Sequence, residues 1–348
     1  MKVMLAMSGG VDSSVAGALL LDEGHDVVGV TMKLWGGASD SGCCSVSDVD
    51  DARRVAQQLD IDHLVFNFGD DFDRYVVDPY VRDHVLGVTP NPCIECNRHV
   101  KFDRLLARAD QLGFDAVATG HHARVGRDDV GGYTLRRGAD EAKDQSYVVH
   151  MLDQHDLSRI MFPVGHIDKA EVRRLAAGKG LRTATKPDSQ DVCFITSTGG
   201  RETFLGDRIA FRPGTVVDRS GEELGRVEAV EMVTIGQRRG IGLPGGGPKR
   251  YVVDVDVPNG VVTVGDDADL DRPTTAVIDP TWVCGPAAGR VLVQCSAHGV
   301  SEAADLTVGA GGVTVDWVRP QRRVAPGQSV VFYDLADDRV LGGGTAAR

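Results

Sequence analysis

Met4-Leu-Ala-Met-Ser-Gly-Gly-Val-Asp-Ser-Ser-Val15 decides the fold: an apolar strand over Val3 to Met7 runs straight into a small, hydroxyl-rich turn that opens a helix. Gly9 and Gly10 admit backbone angles closed to other residues and let a ligand approach the main chain, while Ser8, Ser13 and Ser14 offer hydroxyl donors. The amides at the helix start add partial positive charge, so the turn suits a pyrophosphate. Val11, Val15, Ala18 and Leu19 give the helix an apolar stripe, with a stop at Gly24. Neither the P-loop pattern G-x-x-x-x-G-K-S/T nor the dinucleotide pattern G-x-G-x-x-G occurs around Ser8 to Ser14, so this phosphate cradle is of another kind.

Outward from the turn, strand and helix patterns alternate. Val27 to Met32 reads as a strand, Asp50 to Leu59 as a helix, Leu64 to Phe68 as a strand, Asp70 to Val85 and Arg98 to Leu112 as helices, and Ala116 to Thr119 as a strand. The alternation predicts an α/β domain on a Rossmann-like, mostly parallel sheet. Ligands of such sheets sit at the carboxyl ends of the strands, where Ser8 to Ser13, Met32 to Trp35 and Thr119-Gly-His-His122 emerge, so three loops converge on one pocket. Beyond about Arg201 the runs shorten: Thr215 to Asp218, Tyr251 to Val257 and Val261 to Val264, with Gly245-Gly-Gly247 as a flexible loop, predict a small β-rich domain. From about Thr274 the runs Arg290 to Gln294, Ala304 to Val308, Val313 to Trp317, Ser329 to Tyr333 and Arg339 to Leu341 are regularly spaced and predict a C-terminal β-barrel, which leaves no sheet edge open. The expected domains are 1–200, 201–273 and 274–348.

The chain has 348 residues, too many for one ordinary core, and its 42% hydrophobic content fits a globular protein. No apolar run reaches the roughly 18 residues that span a bilayer, and Met1-Lys2-Val3 enters a strand without a signal-peptide pattern, so a cytoplasmic protein with no membrane partner is expected. Its seven cysteines then read as reactive or ligating thiols, not as a disulfide framework. The net charge of -12 works against nucleic acid in the mean field only, since a local stripe of Arg and Lys binds phosphate on an acidic protein.

Thr89-Pro-Asn-Pro-Cys-Ile-Glu-Cys-Asn-Arg98 sets Cys93 and Cys96 in a C-x-x-C after a proline-stiffened loop and before a helix. Helix amides and Arg98 favour the thiolate of Cys96. Half of a zinc site or a structural pair are the other readings, although no second cluster completes four ligands. Cys193, in Lys186-Pro-Asp-Ser-Gln-Asp-Val-Cys-Phe-Ile195, reads by itself as a core cysteine.

Ser8-Gly-Gly-Val-Asp-Ser13 resembles the motif of the ATP-pyrophosphatase (PP-loop) family, which splits ATP into AMP and pyrophosphate. With Asn91-Pro-Cys-Ile-Glu-Cys-Asn97, Ala118-Thr-Gly-His121, Lys143-Asp-Gln-Ser146, Asp188-Ser-Gln-Asp-Val-Cys-Phe194, Thr234-Ile-Gly-Gln-Arg-Arg-Gly240 and Ala325-Pro-Gly-Gln-Ser329 in this order, the whole chain resembles the bacterial tRNA-specific 2-thiouridylases. The resemblance implies an enzyme that adenylates and then thiolates C2 of the wobble uridine in a tRNA anticodon stem-loop. By it, Ala6, Met7, Ser8, Gly9, Gly10, Val11, Asp12, Ser13, Met32 and Gly120 hold ATP, with Mg2+ on the departing pyrophosphate. Cys96 matches the nucleophile and Cys193 the persulfide carrier, with a Cys96-Cys193 disulfide to be reduced each turnover. Asn91, Pro92 and Cys93 match the segment against the target base, and His121, Lys143, Asp144, Gln145 and Gln328 match tRNA contacts. A cysteine desulfurase or sulfur-relay protein is the implied sulfur donor.

The sequence departs from that pattern in places. Cys93 stands where aspartate is common, so Cys93, Cys96 and Cys193 could instead ligate an iron-sulfur cluster. His122 stands where tyrosine is usual, and Cys295-Ser296 replaces a strand that commonly carries arginine. Cys43-Cys44 reads as packing, and Cys284 and Cys295 as barrel core. Arg319, Arg322 and Arg323, with Arg238, Arg239, Lys249 and Arg250, are candidates for phosphate contact or for a solvated face. A PP-loop ligase acting on a small molecule and a purely RNA-binding protein are the competing classes.

Overall fold

The computed structural model describes residues 1–34, 46–188, 192–195, 200–244 and 247–348. Trp35, Cys43, Cys44, Ser189, Gln190, Asp191, Gly245 and Gly246, all singled out from the sequence, lie outside these described residues.

β1 (Lys2–Ala6) is buried on both faces, as an apolar run in the middle of a parallel sheet must be. α1 (Val11–Asp22) follows, then β2 (Asp26–Lys33), α2 (Val46–Gln58) and β3 (His63–Asn67). Two long helical segments come next, α3 over 69–85 and α4 over 92–111, each wound as π-helix in its middle, Asp73–Val77 and Cys96–Arg104. β4 (Ala116–Ala118), the hairpin β5 (Ala123–Arg127) and β6 (Tyr133–Arg137), β7 (Ile160–Met161) and α5 (Lys169–Gly178) complete the first unit, and α6 (Gly200–Gly206), at the passage to the next, packs Phe204 and Leu205 back into its core. Its parallel sheet runs β3-β2-β1-β4-β7, so the order reverses between β1 and β4. That switch point opens a crevice at the strand ends.

α1 differs from the expected one-sided stripe. It is buried on most sides, Ser13, Ser14 and Gly17 included, because it is sandwiched between the sheet and α5. The helix 92–111 also starts earlier than expected: Asn91 caps it, its side-chain oxygen accepting from the Cys93 amide at 3.2 Å.

β8 (Gly214–Val217), β9 (Glu223–Val227), β10 (Tyr251–Asp256) and β11 (Val261–Gly265) form a four-stranded sheet around Val216, Val252, Val262 and Val264. The C-terminal strands are β12 (Asp271–Trp282), β13 (Gly289–Gln294), β14 (Glu302–Gly309), β15 (Gly312–Arg322), β16 (Ser329–Tyr333) and β17 (Arg339–Ala346). They pair as β12-β15-β14-β13-β16-β17, and β17 returns to β12, closing a six-stranded antiparallel barrel. Cys295 packs against its core as expected, with burial raising its thiol pKa to about 12. Cys284 does not: it is exposed, its sulfur 3.6 Å from the Tyr133 carbonyl oxygen, because it lies past the end of β12.

The hairpin β5–β6 was not legible in the sequence, and it joins the first unit to the C-terminal barrel. β6 pairs with β17 through Arg136 opposite Arg339 and Leu135 opposite Val340. Arg137 donates to Asp144 at 2.8 Å and Asp337 at 2.7 Å and lies 3.8 Å from the Tyr333 ring centroid, so the barrel is anchored to the first unit by sheet bonds and a half-buried cation.

Candidate functional site

One cavity of about 510 Å³ opens at the switch point. Ala6, Met7, Ser8, Gly10, Val11, Asp12 and Ser13 line it from the end of β1, Met32 from β2, and Gly120 and His121 from the loop after β4. Pro92, Cys93 and Cys96 enter from α4, Lys143, Asp144 and Gln145 from the segment after the hairpin, and Cys193 from the far side. The expected nucleotide turn and all three expected thiols thus share one space. Of the expected site residues, Gly9, Asn91 and Gln328 stand outside the wall. Gly9 supports the turn from behind with φ +70°, Asn91 caps α4, and Gln328 donates its amide to the Thr89 carbonyl at 2.7 Å. That last bond, with the Thr89 amide donating to the Pro326 carbonyl at 2.8 Å, fixes the loop before Cys93 to the barrel.

The turn is tight. Ser14 and Ser13 hydroxyls donate to the Gly10 carbonyl at 2.7 and 3.2 Å, and the Ser8 amide donates to Ser13 Oγ at 3.3 Å. Gly120 presses on it: a Cβ there would lie 2.7 Å from the Ser13 nitrogen. Only a glycine allows the β4 loop so close to the start of α1.

Charge is concentrated on Asp12. Burial opposes its carboxylate, but His122 Nε2 at 3.0 Å and Lys169 Nζ at 2.7 Å from both oxygens more than offset this, so its pKa is lowered. Lys169, at the N-terminus of α5 where the helix dipole disfavours a cation, is balanced by Asp12 and by Asp188 at 3.0 Å. Asp188 also accepts from Lys143 at 2.7 Å and Arg173 at 2.8 Å; burial opposes its charge, and the lysines beside it hold its pKa down to about 2. A chain of charges therefore runs from the nucleotide turn to the segment that carries Cys193.

The expected tRNA contacts are already engaged within the protein to different degrees. Asp144 is a structural anion, accepting from Arg137, the Gly138 amide and Ser146. Gln145 accepts from the His122 amide at 2.9 Å. His121 bonds Thr119 Oγ1 at 2.6 Å, and burial pushes its pKa down to about 3, so its ring is neutral. Cys96 is the fifth residue of its helix, beyond the first-turn amides, so the dipole effect expected for it falls on the exposed Cys93.

Several lining residues had no signature in the sequence. Lys169 is among them, as are Ala297 and His298, with which the barrel closes the cavity wall. Among the described residues no three His, Cys, Asp or Glu side chains are grouped closely enough to hold a metal ion. No helix among them is long and apolar enough to cross a membrane.

Three family models cover the chain: tRNA methyl transferase HUP domain over residues 1–197, tRNA methyl transferase PRC-barrel domain over 202–266, and aminomethyltransferase beta-barrel domain over 272–346. The tRNA-specific 2-thiouridylase MnmA of Roseiflexus sp. (strain RS-1) is 47% identical over all of this chain and 99% of its own length. That of Chloroflexus aurantiacus (strain ATCC 29366 / DSM 635 / J-10-fl) is 47% identical over all of this chain and 98% of its own. Among solved structures, the NMN synthetase from Francisella tularensis aligns with 54% of this chain and 66% of its own, at 16% identity and a TM-score of 0.35.

Proposed function

The chain belongs to the tRNA-specific 2-thiouridylases, and from that premise we propose that the cavity at the switch point carries out both halves of the reaction, with Cys96 and Cys193 handling the sulfur. The enzyme is a tRNA 2-thiouridylase with an ATP-using first domain; the assignment of residues to steps is our reading. One observation carries it: both thiols and the Ser8 to Ser13 turn line the same 510 Å³ space.

In this reading the turn amides and the Ser8 and Ser13 hydroxyls bind the pyrophosphate end of ATP, Met32 and Gly120 contact the rest of the nucleotide, and Lys169 supplies cationic charge. Asp12 and Asp188 are oxygen donors of the kind that, together with substrate phosphates, suit magnesium. When bound, that ion neutralises charge on the departing pyrophosphate. The wobble uridine of an anticodon stem-loop, swung out of its stack against Asn91 to Cys93, presents its C2 oxygen to the α-phosphorus. Pyrophosphate leaves, and the oxygen has become part of a good leaving group.

The terminal sulfur of a Cys193 persulfide then bonds to C2. Cys96 thiolate attacks the inner sulfur, the S–S bond breaks with its electron pair on the sulfur now attached to C2, and AMP departs with the former C2 oxygen. In the alternative order Cys96 first releases sulfide, which attacks C2. Either route leaves a Cys96-Cys193 disulfide, which a thiol reductant reopens at the cost of two electrons. A cysteine desulfurase or sulfur-relay protein reloads Cys193. Cys93, Cys96 and Cys193 line the same cavity, so ligation of an iron-sulfur cluster by the three is the competing route for the sulfur. The domain limits that go with this reading are 1–200, 201–273 and 274–348, in a cytoplasmic enzyme.

The test separates the halves. Cys96→Ala and Cys193→Ala should each abolish thiolation of tRNA while leaving tRNA-dependent pyrophosphate release measurable. Normal thiolation by either variant removes that cysteine from the mechanism.

A further inference from the structure

Cys193 must deliver sulfur to one atom of a base, yet it sits in an irregular segment with no helix or strand to aim it. What fixes it is next door. The Ile195 amide donates to the Val192 carbonyl at 3.0 Å, closing a turn in which Cys193 and Phe194 are the central residues. The thiol and the ring thereby belong to one hydrogen-bonded four-residue turn.

Phe194 is 3% exposed and enters an aromatic socket. Its ring centroid lies 5.6 Å from Phe72 and 5.4 Å from Tyr80, both edge to face, and 4.9 Å from Phe204. Tyr80 and Phe204 close the ring of contacts at 6.1 Å. Edge-to-face contacts of this kind fix orientation as well as depth.

The socket depends on the π-wound middle of α3. In a regular α-helix, residues eight apart point about 80° apart; the one extra residue of a π turn moves the later ones back by about 100°, which leaves Phe72 and Tyr80 near one face. Phe204, from α6, supplies the third wall. The residues at the two ends of the segment are thus held differently: Asp188 by ion pairs, Phe194 by packing.

We propose that Phe194 is the positioning residue for sulfur transfer: seated among Phe72, Tyr80 and Phe204, it sets where the neighbouring Cys193 thiol stands relative to Cys96 and the activated base. This rests on the reading of Cys193 as sulfur carrier. Phe194 lines the cavity beside Cys193, but its ring carries no group that can bond phosphate or the C2 oxygen, so adenylation is expected to proceed without it. A displacement of the thiol by about 1 Å is enough to cost about 100-fold in the transfer step.

The experiment compares Phe194→Ala and Phe194→Leu with wild type, the leucine variant keeping most of the apolar volume in case the alanine variant does not fold. Two quantities are read in the full-length enzyme: thiolated tRNA formed per pyrophosphate released in a single turnover, and the rate of Cys96-Cys193 disulfide formation with diamide in the absence of tRNA and ATP. The expected result is a normal pyrophosphate burst with the thiolation ratio down about 100-fold in Phe194→Ala, less in Phe194→Leu, and slower disulfide formation in both. A folded variant with an unchanged ratio and disulfide rate overturns the proposal, and so does a parallel loss of both half-reactions, which marks a merely structural role. Cys193→Ala run beside them keeps the two ideas apart: if it thiolates normally, the sulfur-carrier reading has failed whatever Phe194 does.

Discussion

Lys169 holds two carboxylates that face different tasks, Asp12 at the nucleotide turn and Asp188 at the sulfur-bearing segment. Replacing it with methionine keeps the stem and removes the charge. Asp12 then loses a partner that lowers its pKa, so its acid limb should move to higher pH. Lys169→Met should therefore reduce tRNA-dependent pyrophosphate release at least about tenfold at neutral pH and displace the low-pH edge of its rate profile upward, both read in one pH series. His150 is a different residue-scale case. Burial first, with Arg98 adding to it, pushes its pKa down to about 4, although its bond to the Tyr147 carbonyl works the other way. An unfolded histidine titrates near 6.5, so between these values the unfolded chain binds the extra proton, and stability falls as pH falls from about 6.5 toward 4. His150→Gln should remove up to about 2 kcal/mol of the stability lost between pH 7 and 5, measured by urea unfolding at both values. Neither behaviour was legible in the sequence, because Lys169 and His150 stand in runs with no chemical spacing and acquire partners only from distant parts of the chain. Ser8 to Ser13 and Cys93 to Cys96 were legible, since there the chemistry is written in consecutive residues.

At the scale of elements, the parallel sheet was readable from alternating apolar runs, and the loops at its carboxyl edge followed. The hairpin β5–β6 was not: Ala123-Arg-Val-Gly-Arg127 and Tyr133-Thr-Leu-Arg-Arg137 are short and charged, and they become strands by pairing with each other and, through β6, with β17. The π turns were equally hidden, since a helix with one extra residue keeps a helical composition. Arg137 is where the hairpin's packing can be weighed. Its loss leaves the carboxylate of Asp144, 7% exposed, without its guanidinium partner, which costs about 3 kcal/mol for a buried pair. Arg137→Met should lower stability by that order in chemical denaturation, and adding Asp144→Asn should restore part of it. Additive losses would mean that the two side chains do not act as a pair.

Over the whole molecule, a net charge of -12 has to accommodate an anionic RNA, so the contact must be local. Arg322 and Arg323, two of the candidate phosphate ligands, face Asp267 and Asp254 at 3.3 and 3.2 Å, while Arg238, Arg239, Lys249 and Arg319 are exposed. Replacing Arg238 and Arg239 together by alanine should weaken tRNA binding and flatten its dependence on log salt by about 1 for each phosphate no longer neutralised, whereas Arg323→Ala should change the slope less. Equal slopes for all of these variants would place the RNA elsewhere. The barrel also has a consequence beyond its own closure. Because β6 completes its hydrogen bonding on β17, a chain cut before β12 would keep its nucleotide crevice but lose a wall of the cavity and leave a raw strand border open to water. Such a border invites pairing with other copies, so the C-terminal barrel also protects the first unit from self-association.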